Sequence, residues 1–154
     1  MKPGFFVFFL FWVFSCEKEE GLVLEDGDYL VFGHYYGKCI GEQCVETFKL
    51  TESQLFEDSR DDFTGNTFNF NLLLSEEKFR QVRDLKDLFP ASLLQSADST
   101  FGCPNCADQG GLLIQVSEKG KLKTWRMDTD EEKLPGYLRI FAGEVRKKIE
   151  MLSE

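Results

Sequence analysis

The cysteines are the residues of this 154-residue chain whose type and spacing could do chemistry, and there are five of them. Four form two closely spaced pairs, Cys39 with Cys44 in a C-x4-C pattern and Cys103 with Cys106 in a C-x2-C pattern. Both pairs lie in glycine-containing segments that are typical of loops. Thiols in such pairs can form disulfides, bind a metal ion as thiolates or exchange electrons.

Disulfide bonds are the first interpretation of these two pairs. Four cysteines allow three connectivities, and we expect the local bonds Cys39–Cys44 and Cys103–Cys106. Loops this short gain little from closure, so each bond would restrain its own loop more than the whole domain. A long-range bond such as Cys39–Cys106 would stabilise the domain more, by roughly 4 kcal/mol.

A zinc site is the second interpretation, because two cysteine pairs can supply four thiolates in tetrahedral geometry. Residues 102–106 (GCPNC) resemble a zinc knuckle, whereas C-x4-C is looser than the commonest ligand spacing. Zinc would then be held by Cys39, Cys44, Cys103 and Cys106. Otherwise no cofactor is expected.

A thiol-redox enzyme is the third and weakest interpretation. Cys103 and Cys106 frame the C-P-x-C form of thioredoxin-like enzymes, in which a helix begins at the first cysteine and lowers its pKa. Here residues 107–111 (ADQGG) predict a continuing loop and then a strand. We therefore assign no catalytic residue to this pair.

His34 and three acidic stretches are the remaining candidates for chemistry. A Ser-His-Asp triad would have to use His34, but the chain has no G-x-S-x-G motif, and a strand histidine with a satisfied hydrogen bond is the simpler interpretation. Residues 25–28, 58–62 and 128–132 carry oxygen ligands suited to calcium without the spacing of an EF-hand. We interpret them as solvated loops, and the chain is not expected to be an enzyme.

The N-terminal residues predict an exported protein. Lys2 precedes ten apolar residues, 5–14, which as a helix would span about 15 Å of a hydrocarbon core of about 30 Å. Such a run is typical of a secretory signal peptide. Residues 13–16 (VFSC) resemble the lipobox of bacterial lipoproteins, although Phe14 stands where a small residue is commoner. The resemblance implies cleavage after residue 15 and acyl chains, such as palmitate, on Cys16.

Further segments resemble small surface lipoproteins of Bacteroidota whose function is uncharacterised. Residues 17–20 (EKEE) are similar to the signal by which those bacteria export lipoproteins to the outer face of the outer membrane. The similarity also covers residues 31–39, 41–46, 102–111 (GCPNCADQGG) and 123–126. It implies a lipid-anchored, surface-exposed protein of the outer membrane, makes both cysteine pairs family features and carries over no catalytic residue.

Composition and charge restrict the partners. The chain has 42% hydrophobic residues and a net charge of −9, which excludes general disorder and a multi-pass membrane protein. This acidic balance argues against a nucleic-acid partner, since phosphate binding needs a basic face. We expect a membrane contact through the lipid on Cys16, and a protein or glycan partner of unknown identity. Residues 98–100 (DST) match a short O-glycosylation pattern of some Bacteroidota proteins.

The elements that would position these residues follow from hydrophobic periodicity. Six strands are predicted, over residues 28–36, 45–50, 54–57, 67–74, 111–117 and 121–127. A helix begins at Ser75, a residue suited to capping, and ends before Pro90. A last helix opens near residue 134 and carries the apolar stripe Leu138, Phe141, Val145, Ile149 and Leu152.

Together these elements predict an α+β fold, with an antiparallel sheet of about five to six strands and two helices on one face. The last two strands form a hairpin. We divide the chain into a signal peptide (1–15), a lipidated cysteine with an acidic tether (16–27) and one globular domain (28–154). The expected function is a lipid-anchored, non-enzymatic binding or structural module with disulfide-braced loops. The alternatives are a zinc-binding lipoprotein and a thiol-redox enzyme.

Overall fold

The computed structural model describes residues 21–37, 44–60 and 67–153, and these form an α+β domain. The strands and helices of these ranges follow one another as β1 (Tyr29–Tyr35), β2 (Val45–Leu50), β3 (Leu55–Asp58), β4 (Phe70–Leu73), α1 (Glu76–Val82), α2 (Leu85–Leu88), β5 (Thr100–Phe101), β6 (Gly111–Glu118), β7 (Lys121–Met127) and α3 (Gly136–Leu152). Because helices and strands are segregated along the chain, the predicted α+β class is confirmed.

One sheet holds these strands in the order β4-β3-β2-β1-β6-β7-β5. The central strand β1 pairs antiparallel with β2 and β6, which places Phe32 between Phe48 and Ile114. The hairpin β6–β7 was expected, and its turn uses Lys119 and Gly120 in the left-handed region. The register therefore gathers large apolar side chains on one face of the sheet.

The predicted sheet is close to the observed one but not the same. Within the described ranges it has seven strands, not five or six, and it is mixed because β5 runs parallel to β7. The additional strand β5 lies between Pro90 and the strand predicted over residues 111–117, where no strand was predicted. The N–H groups of Arg126 and Asp128 donate to the carbonyls of Ser99 and Phe101, both at 2.9 Å. Two residues held by such long-range bonds carry no periodicity of their own.

The edge strand β4 departs from its predicted pattern of burial. Alternation over residues 67–74 predicted a half-buried strand, yet β4 covers only Phe70–Leu73, and Leu72 and Leu73 are at least half exposed. Within the described ranges, β4 pairs with β3 alone, across a register shift at Glu57 and Asp58. An outer strand of this kind lies where alternation in the sequence does not ensure burial.

The first predicted helix is divided into α1 and α2. Ser75 caps α1 as expected, accepting a hydrogen bond from the N–H of Lys78. At the division, the buried ammonium of Lys148 from α3 donates a hydrogen bond to the carbonyl oxygen of Gln81 and lies 2.8 Å from an oxygen of Asp84. In a continuous helix that carbonyl would accept from residue 85, so the contact with α3 replaces a helical turn.

The helices cover the apolar face of the sheet. The stripe predicted for the last helix is buried throughout, and the ring of Phe141 meets that of Phe89 edge-on at 5.3 Å. Side chains of α1, α2 and α3 share one core with Phe32, Phe48 and the other inward residues of the sheet. The expectation of helices on one face is therefore met.

The described part of the predicted tether packs against the domain. Leu22 and Leu24 are buried in the main core, and the N–H of Leu22 donates to the carbonyl of Lys86 at 2.7 Å. Among the described residues, the packed domain thus begins at Gly21 and not at residue 28, because Leu22 and Leu24 of this short segment are buried in the main core. Residues 1–20, which hold the predicted signal peptide and Cys16, lie outside the described ranges.

Candidate functional site

The C-x2-C segment forms a tight loop closed by a disulfide between Cys103 and Cys106, whose Cα atoms are 5.5 Å apart. The N–H of Cys106 donates to the carbonyl of Cys103 at 3.3 Å. The loop turns sharply because Gly102, Asn105, Asp108 and Gly110 all adopt positive φ. Glycine and short polar residues are the types that tolerate this conformation, so the GCPNCADQGG sequence suits its backbone.

Asp128, which is fully buried, holds the start of this loop. One carboxylate oxygen accepts from the N–H of Cys103 at 2.9 Å and the other from the N–H of Asp130 at 2.9 Å, while Lys133 lies 3.5 Å away. Burial raises the pKa of the Asp128 carboxyl, but these hydrogen bonds and the Lys133 charge outweigh it and keep the pKa below its ordinary value. The loop is therefore attached to an ionised side chain.

The other side of the loop rests on the end of β1. A Cβ at Gly110 would overlap the carbonyl oxygen of Tyr35, and a Cβ at Gly37 would overlap the side chain of Asn105. Burial raises the pKa of the Tyr35 phenol, while the charge of Arg126 acts in the opposite direction. Glycine is required at these contacts since only its backbone allows so close an approach.

Cys44 lies at the same end of the sheet. It is buried with Tyr35, Val45 and Leu113, and its carbonyl accepts from the N–H of Tyr36 at 3.0 Å. Cys44 is disulfide-bonded, and Cys39, its predicted partner, lies outside the described residues. The Cys39–Cys44 pairing therefore stays a prediction, although Cys44 and the Cys103–Cys106 loop both adjoin the end of β1.

The zinc site and the thiol-redox enzyme, the two alternatives to structural disulfides, make different demands on this geometry. Across the described ranges, no three His, Cys, Asp or Glu side chains are grouped so that they could hold a metal ion. A zinc site using all four thiols would first have to break the Cys103–Cys106 bond. The redox interpretation would need a helix that begins at Cys103, whereas the chain there runs through turns into β6.

A cleft of about 730 Å³ opens between the end of the sheet and the C-terminal half of α3. His34 of β1 lines it beside Glu46, its cross-strand neighbour on β2. Arg146 and Glu150 of α3 form the opposite wall. The disulfide loop contributes Gln109 to the rim, so the cleft joins three parts of the fold.

The polar groups of the cleft are held in place. The side-chain amide of Gln109 donates to the carbonyl of Cys103 at 2.9 Å and accepts from the N–H of Ala107 at 2.7 Å. Arg146 forms an ion pair with Glu131 at 2.6 Å. The ring of Tyr36 lies 5.1 Å from that of His34 and is partly exposed at the rim. This arrangement offers charges, an amide and an aromatic edge to a bound molecule.

Only part of this site could be anticipated from the sequence. His34 was considered and interpreted as a strand residue, and Gln109 lies in the GCPNCADQGG segment that was already singled out. Glu46, Arg146 and Glu150 belong to separate elements, and no local spacing links them. Their proximity arises from the packing of α3 over β1 and β2.

The other predicted sites lie elsewhere. The acidic residue Asp128 is buried and structural, not solvated as expected, because it satisfies backbone N–H groups. Ser99 and Thr100 of the possible glycosylation pattern are exposed, with Thr100 in β5. In the described part of the chain, no helix combines the length and apolar character needed to cross a membrane.

Comparison of the whole chain with protein-family models and with curated proteins finds no match in either case.

Proposed function

We propose that this protein is a lipid-anchored, non-enzymatic binding module of the bacterial outer membrane, displayed at the cell surface and anchored through Cys16. The observation that carries the binding role is the cleft between β1, β2 and α3, whose rim includes the disulfide-braced loop. Its volume of about 730 Å³ falls within the range of ligand sites in proteins. A disulfide-braced rim loses less conformational entropy on binding than a flexible loop would. Polar groups fixed on such a rim therefore bind a ligand more tightly.

The lining favours a polar ligand, either a glycan or an extended segment of a partner protein. Carboxylates of Glu46 and Glu150, the guanidinium of Arg146 and the amide of Gln109 supply donors and acceptors on several sides. The exposed ring of Tyr36 adds a flat apolar surface of the kind that packs on sugar rings and peptide side chains.

The proposal is tested by screening the mature protein against panels of glycans and peptides. A ligand found in this way is then titrated against Tyr36→Ala and Gln109→Ala, with Leu122→Ala as the matched control on an exposed position of β7. We expect both cleft variants to weaken binding by about tenfold, equivalent to about 1.4 kcal/mol, and the control to bind normally. Equal affinity in all three variants would show that the cleft is not the ligand site.

A further inference from the structure

The place where the chain leaves the domain towards its N-terminus is defined. The backbone of Gly21 lies directly on α2, because a Cβ there would come within 2.6 Å of the Cα of Asp87. The N–H of Leu22 donates a hydrogen bond to the carbonyl of Lys86, and the side chains of Leu22 and Leu24 are buried. Any chain preceding Gly21 therefore starts from the surface beside α2.

Only four residues, 17–20, separate Gly21 from Cys16. Five residue steps span at most about 18 Å when fully extended. A domain of this size has a radius of gyration of about 14 Å, so a tether of that length cannot pass around it. If Cys16 carries the lipid, as the proposed function requires, the surface beside α2 stays close to the bilayer.

We infer that this surface, formed by Val23, Leu88 and Ile140, rests against the lipid headgroups and acyl boundary; we call it the anchor-side face. The three apolar side chains are 71%, 40% and 76% exposed. Val23 follows Leu22, which is hydrogen-bonded to Lys86 of α2, and Leu88 belongs to α2. On α3, which packs against α2, Ile140 is exposed one residue before Phe141, whose ring contacts that of Phe89.

The two charged residues of α2 balance each other at this surface. Lys86 and Asp87, the charged residues of α2, form an ion pair with each other at 2.9 Å. An apolar surface beside a lipid anchor adds burial to the membrane affinity of the acyl chains. The anchor-side face thus has both the position and the chemistry to adjoin a bilayer.

The orientation directs the cleft away from the membrane. α1 and α2 run antiparallel to α3. The ammonium of Lys78, in α1, donates a hydrogen bond to the carbonyl of Leu152 at the end of α3, whereas the ring of Phe89, just after α2, contacts that of Phe141 near the start of α3. Arg146 lines the cleft, whereas Lys148 pairs with Asp84 at the start of α2. Two positions apart, these side chains project about 200° apart around α3, so the cleft and α2 lie on opposite flanks of this helix. The disulfide-braced rim would then face the medium.

The test measures the depth of single tryptophans in the acylated mature protein. Leu88→Trp and the control Leu122→Trp are each bound to phosphatidylethanolamine–phosphatidylglycerol vesicles with and without brominated lipid, a short-range quencher. Leu122 is also exposed, but it lies on the sheet face opposite the helices. Trp125, the tryptophan that remains after the signal is removed, is buried and common to both variants.

We expect brominated lipid to remove most of the fluorescence added at position 88 and little of that added at 122. Val23→Trp repeats the measurement if Leu88→Trp does not fold, as judged by circular dichroism. Mass spectrometry of the N-terminal peptide shows whether Cys16 carries lipid, and so separates the proposed anchor from the proposed orientation. A chain without lipid on Cys16 overturns the anchor and this inference together, whereas an acylated chain quenched equally at both positions overturns only the orientation.

Discussion

At the scale of single residues, Asp128 links the disulfide loop to the rest of the domain. Its carboxylate satisfies two backbone N–H groups and faces Lys133, and no part of its side chain reaches solvent. Such a group stabilises the fold only while it is ionised, because its hydrogen bonds are made to the charged form.

The first prediction concerns the pH dependence of this residue. Since the folded pKa of Asp128 is below its ordinary value of 3.8, its contribution is complete above that value and is lost as pH falls through the folded pKa. Asp128→Asn should lower the free energy of unfolding by about 1–3 kcal/mol at neutral pH. Urea unfolding from pH 7 down to pH 2.5 measures the effect, and the gap between the two proteins should narrow towards the acid end. A constant gap would assign the loss to packing alone.

The second prediction concerns the Cys103–Cys106 bond. A closed loop of four residues restricts the unfolded chain only slightly, so replacing both cysteines by serine should cost about 2 kcal/mol or less. Chemical denaturation measures this, and thiol titration of the unfolded parent protein should find no free thiol among Cys39, Cys44, Cys103 and Cys106. A loss well above this, or free thiols with bound zinc, would contradict the proposed set of local disulfides.

At the scale of elements, α3 connects the parts of the domain. Its apolar stripe closes the core over the sheet, its Lys148 divides α1 from α2, and its last turns line the cleft. One element thus contributes to stability, to the shape of its neighbours and to the candidate site.

The third prediction compares two adjacent positions on this helix. Phe141 is buried against Phe89, while Ile140 is exposed. Phe141→Ala should reduce the free energy of unfolding by about 3–5 kcal/mol, because it leaves a cavity in the main core. Ile140→Ala, one residue away, should change it by no more than about 0.5 kcal/mol. Similar losses at both positions would mean that α3 packs in another rotation.

At the scale of the whole molecule, the proposed lipid anchor, Cys16, lies only a few residues before the packed domain in the sequence. In the described part of the chain the packed domain begins at Gly21, so only four residues separate it from the cysteine of the lipobox-like sequence. If Cys16 is acylated as proposed, this short connection couples the orientation of the domain to its attachment, which a long flexible linker would prevent.

The fourth prediction tests the attachment. Cys16→Ser should abolish incorporation of labelled fatty acid and move the protein from the membrane fraction to the soluble fraction, because no thiol remains to be acylated. Fractionation with lipid labelling measures both. A serine variant that still carries the label and still sediments with membranes would refute the lipobox interpretation.

Several features could be predicted from the sequence because they depend on interactions between residues close together in the chain. The capping residue Ser75, the turn at Gly120 and the stripe from Leu138 to Leu152 act over a few residues, so their types and spacing predicted a helix start, a hairpin and a buried face. The α+β class followed from the order of such elements. These features needed no knowledge of what they pack against.

Tertiary structure alone decided the rest. The strand β5, the exposure of Leu72 and Leu73, and the division of α1 from α2 depend on partners far away in sequence. The cleft has the same origin, since His34, Arg146 and Gln109 come from β1, α3 and a loop whose proximity no local pattern encodes. The physical reason is that burial and long-range hydrogen bonding are set by the assembled neighbours, whereas propensity and periodicity act only along the chain.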